Sequence, residues 1–213
     1  MAKKVLELNV DFKEQSKSGD NGSFSLQPLE RGYGTTIGNA MRRVLLTSIP
    51  GAAITHVKID GVQHEFSTID GVKEDVADII MNLKKVRFKL MDNAPDKVTL
   101  SIKGKKSFTG QDIQNASDQF EVLNPEEYIT ELNSKGKLDI ELRIGIGKGY
   151  VPSEANDMPN LPVGTLSIDS IFNPVTNVTF TVQPVPGAKD PIEILSLDVT
   201  TDGSTTAKDA VSY

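Results

Sequence analysis

Apolar and polar positions recur along most of the chain, with a period that changes several times. Leu6, Leu8, Val10 and Phe12 alternate with Glu7, Asn9 and Asp11, which predicts a strand over residues 6–12. Ser18-Gly19-Asp20-Asn21-Gly22 reads as a turn. Phe24, Leu26 and Pro28 predict a short second strand at a sheet edge, because proline cannot donate to a ladder. The spacing then lengthens to that of a helix over residues 35–49, which Pro50-Gly51 stops. At 100° per residue, Ile37, Met41, Val44, Leu45 and Ser48 share one face, with Ala40 beside it. Leu46 falls opposite, among Asn39, Arg42 and Arg43. It is either a scattered surface side chain or the mark of a second buried face, and a second face means a partner.

Residues 54–59 predict a strand closed by Asp60-Gly61, a hairpin-type turn signal. A helix is predicted over 71–86, with Asp70 as N-cap. Glu74 and Asp75 in its first turn and Lys84 and Lys85 in its last match the helix dipole. Val72, Val76, Ile79, Ile80, Leu83 and Val86 form its apolar stripe. Val86, Phe88 and Leu90 alternate, as do Val98, Leu100 and Ile102 after a turn at Asp92-Asn93-Ala94-Pro95-Asp96. Residues 121–132 and 137–146 predict a hairpin around Asn133-Ser134-Lys135-Gly136; Leu138, Ile140, Leu142, Ile144 and Ile146 keep strict period two. Residues 150–163 hold three prolines and no period, so a loop is expected. Leu166, Ile168 and Ser170 begin a strand that Asn173-Pro174 breaks, and Val178, Phe180 and Val182 resume it. A strand over 194–199, a turn at Asp202-Gly203 and a helix over 205–213 capped by Ser204 complete the pattern. An isolated helix of nine residues is marginal in water, so the chain reads as cut short there. Many strands and few helices predict an α+β fold with largely antiparallel sheet.

Composition narrows the function classes. At 213 residues one or two domains are expected. The absence of cysteine excludes disulfides, thiolate metal sites and a cysteine nucleophile. Lys plus Arg is 23 against 29 Asp plus Glu, a net charge of −6, which argues against nucleic-acid binding by the body of the protein. Lys84, Lys85, Arg87 and Lys89, and Lys103-Gly104-Lys105-Lys106, are local basic stretches whose default is a solvated face. Glu7 interrupts any export-signal core, and no apolar run reaches the length of a membrane span. A cytoplasmic protein without membrane contact is expected.

Candidate chemistry is thin. Gly32-Tyr33-Gly34-Thr35-Thr36-Ile37-Gly38 opens a helix and offers a phosphate cradle, the basis of an alternative reading as a phosphate- or nucleotide-binding enzyme. It lacks the preceding core strand of a dinucleotide fold, which favours a tight turn with close backbone approach. Gly145-Ile146-Gly147-Lys148-Gly149 lacks the Ser or Thr of a phosphate loop and reads as a strand with bulge or close contact. His56 and His64 have no helical pairing and no cysteine beside them, so no metal and no cofactor are expected.

The run Pro28-Leu29-Glu30-Arg31-Gly32-Tyr33-Gly34-Thr35-Thr36-Ile37-Gly38-Asn39-Ala40-Met41-Arg42-Arg43-Val44-Leu45-Leu46 strongly resembles the signature of the bacterial RNA polymerase alpha-subunit family. The resemblance continues through Ile59-Asp60-Gly61-Val62, His64-Glu65-Phe66-Ser67, Gly71-Val72-Lys73-Glu74-Asp75 and Asn82-Leu83-Lys84. It returns at Gly147-Lys148-Gly149-Tyr150-Val151-Pro152, at Asp169 with Asn173-Pro174-Val175, and at Thr201-Asp202-Gly203. It implies an alpha N-terminal domain: a dimerisation lobe from residues 1–49 and 175–213, and an insert lobe from 50–174. It implies a homodimer, with Ile37, Met41, Val44 and Leu45 at the interface. One copy would contact the beta subunit through Arg42, Arg43, Leu46 and Asp78. The other would contact beta-prime through Lys84, Ile168 and Val175. The implied role is a non-catalytic assembly scaffold of a DNA-directed RNA polymerase. A DNA-binding C-terminal domain would lie beyond Tyr213, so this stretch would not bind DNA itself.

Overall fold

The computed structural model describes residues 9–14, 19–91, 96–104, 106–156, 161–188 and 190–213. Residues 6–8 of the first expected strand, Ser18 of the first turn and most of the turn at 92–96 lie outside the described residues. The chain divides into two units, residues 1–49 with 174–213 and residues 50–173. The first unit opens with β1 (Asn9–Glu14), β2 (Asn21–Glu30) and α1 (Tyr33–Thr47). The second begins with β3 (Pro50–Ile59), α2 (Val76–Leu83), β4 (Phe88–Leu90), β5 (Asp96–Lys103) and β6 (Lys106–Thr109). It continues through α3 (Gly110–Gln114), β7 (Phe120–Val122), β8 (Tyr128–Leu132) and β9 (Lys137–Lys148). β10 (Tyr150–Val151), β11 (Thr165–Ser167) and β12 (Ser170–Ile171) complete it. The first unit closes with β13 (Val175–Pro184), β14 (Ile192–Thr201) and α4 (Ala207–Ser212). The fold is mainly antiparallel β with few helices, as the periodicity predicts.

In the first unit the sheet order is β1-β2-β14-β13, antiparallel throughout. β2 is therefore central and ten residues long, not the short edge strand expected from Pro28. The pairing steps from Glu193↔Leu29 to Leu195↔Leu26, so Gln27 and Pro28 together oppose one residue of β14. A bulge of this kind asks no hydrogen of the proline.

The buried face of α1 is also not the expected one. Gly34, Gly38 and Leu45 are buried, whereas Val44 is 51% exposed. A Cβ on Gly38 would lie 2.5 Å from the Phe180 ring, and one on Gly34 would lie 2.6 Å from Val182. The helix backbone thus lies directly on β13, and Leu45 joins Ile49, Phe24, Val178, Leu197 and Val199 in the core. Leu46 and Met41 pack against that core from the side, so Leu46 is half-buried rather than opposite it. At the end of the unit Thr206, not Ser204, caps α4, accepting from the Asp209 amide at 3.0 Å.

The second unit is a sheet in the order β5-β9-β3-β4-β7, with β11 also paired to β3. β9 alternates as expected, burying Leu138, Ile140, Leu142 and Ile144 and leaving Ile146 exposed. Its neighbours are β5 and β3, so the expected hairpin with 121–132 does not form. Residues 123–127 interrupt that stretch, and β8 pairs instead with β6. The Asp60-Gly61 turn exists, with Gly61 at φ +78°, but leads into an irregular stretch rather than a second hairpin strand.

α2 is only eight residues long. Its N-cap is Asp75, which accepts the Asp78 amide at 2.8 Å; Asp70 lies well before it. Residues 71–74 are diverted by pairing: Val72 bridges Leu132, and the Lys73 amide donates to the Glu131 carbonyl at 2.9 Å. Of the expected stripe Val76, Ile79, Ile80 and Leu83 are buried on α2, whereas Val72 precedes the helix and Val86 follows it, and Lys84 and Lys85 lie beyond its last residue. β6 and α3 were not legible from the pattern, and residues 150–163 contain β10 and a 3-10 turn at Ser153–Ala155.

Candidate functional site

The sequence offered a phosphate cradle at the start of α1. The structure fills it from within: the Gly32 and Gly34 amides donate to the two carboxylate oxygens of Glu193 at 3.0 and 3.2 Å. A carboxylate there satisfies these free amides and complements the helix dipole, the part a phosphate would otherwise play. His56 is buried; its Nε2 donates to the Asn156 carbonyl at 2.9 Å and its Nδ1 lies 2.9 Å from Thr55 Oγ1. His64 is exposed, with Nδ1 3.2 Å from Ser67 Oγ. Among the described residues no group of three His, Asp or Glu is placed to hold a metal. Gly145 and Gly147 make room for Thr55 and Phe172, the close contact expected of them.

Part of what α1 presents outward is apolar. Tyr33 and Val44 are 57% and 51% exposed, Ala40 is exposed and Ile37 half-buried. At 100° per residue these four form a stripe roughly 110° round the helix from the buried glycines. Of the expected interface residues, Ile37 and Val44 lie on it and Met41 on its border. Leu45 does not: it is 2% exposed and belongs to the core. Exposed Val10 flanks an apolar cleft of about 90 Å³ lined also by Leu26, Ile37, Met41 and Val211. Arg42 Nε donates to the Val178 carbonyl at 3.0 Å, which ties α1 to β13, while Arg43 is exposed.

In the second unit Asp78 and Met81 share the exposed face of α2, and the stretch before the helix exposes Phe66 at 82%. Phe66 lies inside a motif whose periodicity says nothing, so only its exposure singles it out. Lys84 pairs with Asp169 at 3.1 Å. The Ser153 amide, then Lys84, hold the Asp169 carboxyl below its ordinary range against the effect of burial. Ile168 and Val175 are 4% and 2% exposed, each inside its own unit's core. Alternation already allowed that burial, and it removes both from any contact surface.

A carboxylate site organises the stretch before α2. Glu74 accepts from Tyr128 Oη at 2.8 Å, Thr130 Oγ1 at 2.7 Å and the Glu131 amide at 3.2 Å. Burial raises its pKa, but those three donors and the Lys73 charge outweigh it and hold the carboxyl below 4.5. Burial and the Glu74 carboxylate push Tyr128 up to about 12. Nothing local in sequence announces either Glu74 or Glu193, whose partners lie 54 to 161 residues away.

Each unit is built on antiparallel sheet and sets exposed apolar and charged side chains on a helix, Tyr33, Val44 and Arg43 on α1 and Met81 and Asp78 on α2. Residues 57–173, more than half of the chain, match the family model described as RNA polymerase Rpb3/RpoA insert domain, and the chain belongs to that family. It is 52% identical over 204 residues to the DNA-directed RNA polymerase subunit alpha of Chlorobaculum tepidum, covering 95% of this chain and 62% of that protein. The subunit from Chloroherpeton thalassium is 52% identical over 206 residues, 96% of this chain and 62% of that protein. That from Salinibacter ruber is 48% identical over 213 residues, 100% of this chain and 65% of that protein. The chain therefore spans somewhat under two thirds of the length of these relatives. No helix among the described residues is long and apolar enough to cross a membrane.

Proposed function

We propose that the chain is a non-catalytic assembly subunit of a bacterial, cytoplasmic DNA-directed RNA polymerase. One observation carries this reading: about half of its residues are identical to those of polymerase alpha subunits over 95% of its length. Two copies pair through the α1 stripe of Tyr33, Ile37 and Val44, and the pair takes up the beta and beta-prime subunits. Exposed Arg43 and Asp78 face beta, and Lys84 with Asp169 faces beta-prime. Leu46 and Arg42 support Arg43 from α1. The mechanism is burial of surface, with a few anchors dominating, and needs no cofactor in this chain. With a net charge of −6 the chain does not bind DNA by itself.

The test has two stages. Sedimentation velocity should show a dimer, and Val44→Asp should convert it to a folded monomer, since burying an unpaired carboxylate opposes association. The tagged chain expressed in its own bacterium should retain the two largest polymerase subunits. A well-folded dimer that retains neither overturns the assembly reading.

A further inference from the structure

Between Val62 and Val76, both buried, every side chain is half-buried or exposed. This stretch carries His64, Glu65 and the exposed Phe66, and leads into the face of α2 that presents Asp78 and Met81. Ile69 and Val72 touch the core only partly. Hydrophobic burial therefore fixes the two ends of the stretch and leaves its middle to polar ties.

Those ties converge on residues 71–76. Gly71 turns the chain at φ +79°, against the backbone of Gly136, where a Cβ would come within 2.6 Å of the Gly136 Cα. The Asn133 amide donates to the Gly71 carbonyl at 2.9 Å, and the Lys73 amide donates to the Glu131 carbonyl at 2.9 Å. Glu74 then receives three donors from β8, and the Val76 amide donates to the Ser67 carbonyl at 3.1 Å. The charged groups around the carboxylate are Lys73, 3.9 Å away and over the Tyr128 ring, and Glu131 beyond it.

We infer that Glu74 is a positioning residue, a latch that holds the 64–75 stretch against β8 so that the exposed Phe66 within it is presented to a protein partner in one arrangement. The partner half of this inference rests on the assembly reading above, with the beta subunit as the partner. Pre-ordering matters because a loop that must be ordered on contact lowers affinity by the entropy of ordering it. Glu74 touches no partner in this scheme; it acts through the stretch it holds.

The experiment combines amide hydrogen exchange with capture of the beta subunit of the same organism, using Glu74→Gln and Tyr128→Phe. Tyr128→Phe removes one donor from a partly exposed side chain and keeps the fold. Glu74→Gln should raise exchange at Ser67 and Lys73 at least tenfold and weaken beta capture about fivefold. Tyr128→Phe should shift both in the same direction by less. Amides of β9 such as Leu142 should exchange as before, which separates a released latch from general unfolding. Unchanged exchange at Ser67 and Lys73 overturns the latch. Faster exchange with undiminished capture overturns the positioning role. If the unaltered chain captures no beta subunit, the assembly reading fails and takes the partner half of this inference with it, while the exchange data still decide the latch.

Discussion

Among the described residues, the core of 50–173 gathers twenty-four buried apolar side chains, from Ile54 to Ile168. The core of 1–49 and 174–213 gathers nine, and two of those are alanines. The larger core is closed over a sheet in which β9 buries four aliphatic side chains in succession. The smaller one leaves Val10, Tyr33 and Val44 in water, and an apolar cleft beside them. The difference teaches where each unit finds its stability. Both units leave large apolar side chains in water, Phe66, Met81 and Ile146 among them in 50–173. The larger unit does so around an ample core of its own, whereas the smaller one has less than half as many buried side chains to hold it and more to gain from the pairing proposed above.

The most forceful way to break that contrast is to damage the larger core. Phe120 stacks edge-to-face on Phe88, with ring centroids 5.4 Å apart, and both are buried. Phe120→Ala should cost about 3–5 kcal/mol. Calorimetry should show the loss in the unfolding of 50–173 while sedimentation still reports a dimer. If the dimer dissolves as well, the two units unfold together and the contrast is wrong.

A smaller effect is expected from the helix seat in the other unit. Gly38→Val must displace the Phe180 ring, at about 1–3 kcal/mol, the usual range for overpacking. Urea titration should show a lowered midpoint and sedimentation a weakened dimer, because α1 carries both faces. A neutral result would mean that α1 does not lie on β13 as closely as Gly34 and Gly38 allow.

Acid should act on the second unit. The carboxyls of Glu74 and Asp169 are both held below their ordinary values in the folded protein. A group depressed in the folded state contributes stability above its unfolded pKa, and that contribution is lost as pH falls through the folded value. The losses should therefore begin below the ordinary carboxylate values of 4.5 and 3.8. Urea midpoints followed from about pH 6 to about pH 3 should fall, and Glu74→Gln should flatten part of the slope at a cost near neutrality of about 1–2 kcal/mol. An unchanged slope in Glu74→Gln would remove that carboxylate from the acid response.

The same comparison explains what was legible in the sequence. Period two read β5 and β9 well, and the 3.6 period read the stripe of α2, because those elements bury one clean face. It misjudged α1, since a glycine that seats a helix has no side chain to count, while Val44 on the opposite rim counts fully. Pro28 suggested an edge because the bulge that accommodates it is made with β14, far away in sequence. The hairpin expected around 133–136 failed for the same reason: β9 pairs with strands that begin 87 and 41 residues before it, and a local turn signal cannot announce them. Long, ordered motifs did identify the family, which periodicity could not. Which motif residues face outward came only from the structure, as Ile168, Val175 and Leu45 show.

The smallest effect on stability is expected at Arg43, and it sharpens the contrast most. Its neighbour Arg42 donates to the Val178 carbonyl and so helps to hold α1 on β13. Arg42→Ala should cost about 1 kcal/mol, the net value of a typical hydrogen bond. Arg43 is exposed on the same helix, so Arg43→Ala should alter the unfolding midpoint by no more than about 0.5 kcal/mol. Arginine is enriched among the anchors of interfaces, and its fork is matched to carboxylates. Capture of the beta subunit should therefore fall several-fold in Arg43→Ala although stability and dimerisation are unchanged. If instead Arg42→Ala impairs capture and Arg43→Ala does not, the surface beta reads depends on the seating of α1 and not on its exposed charge.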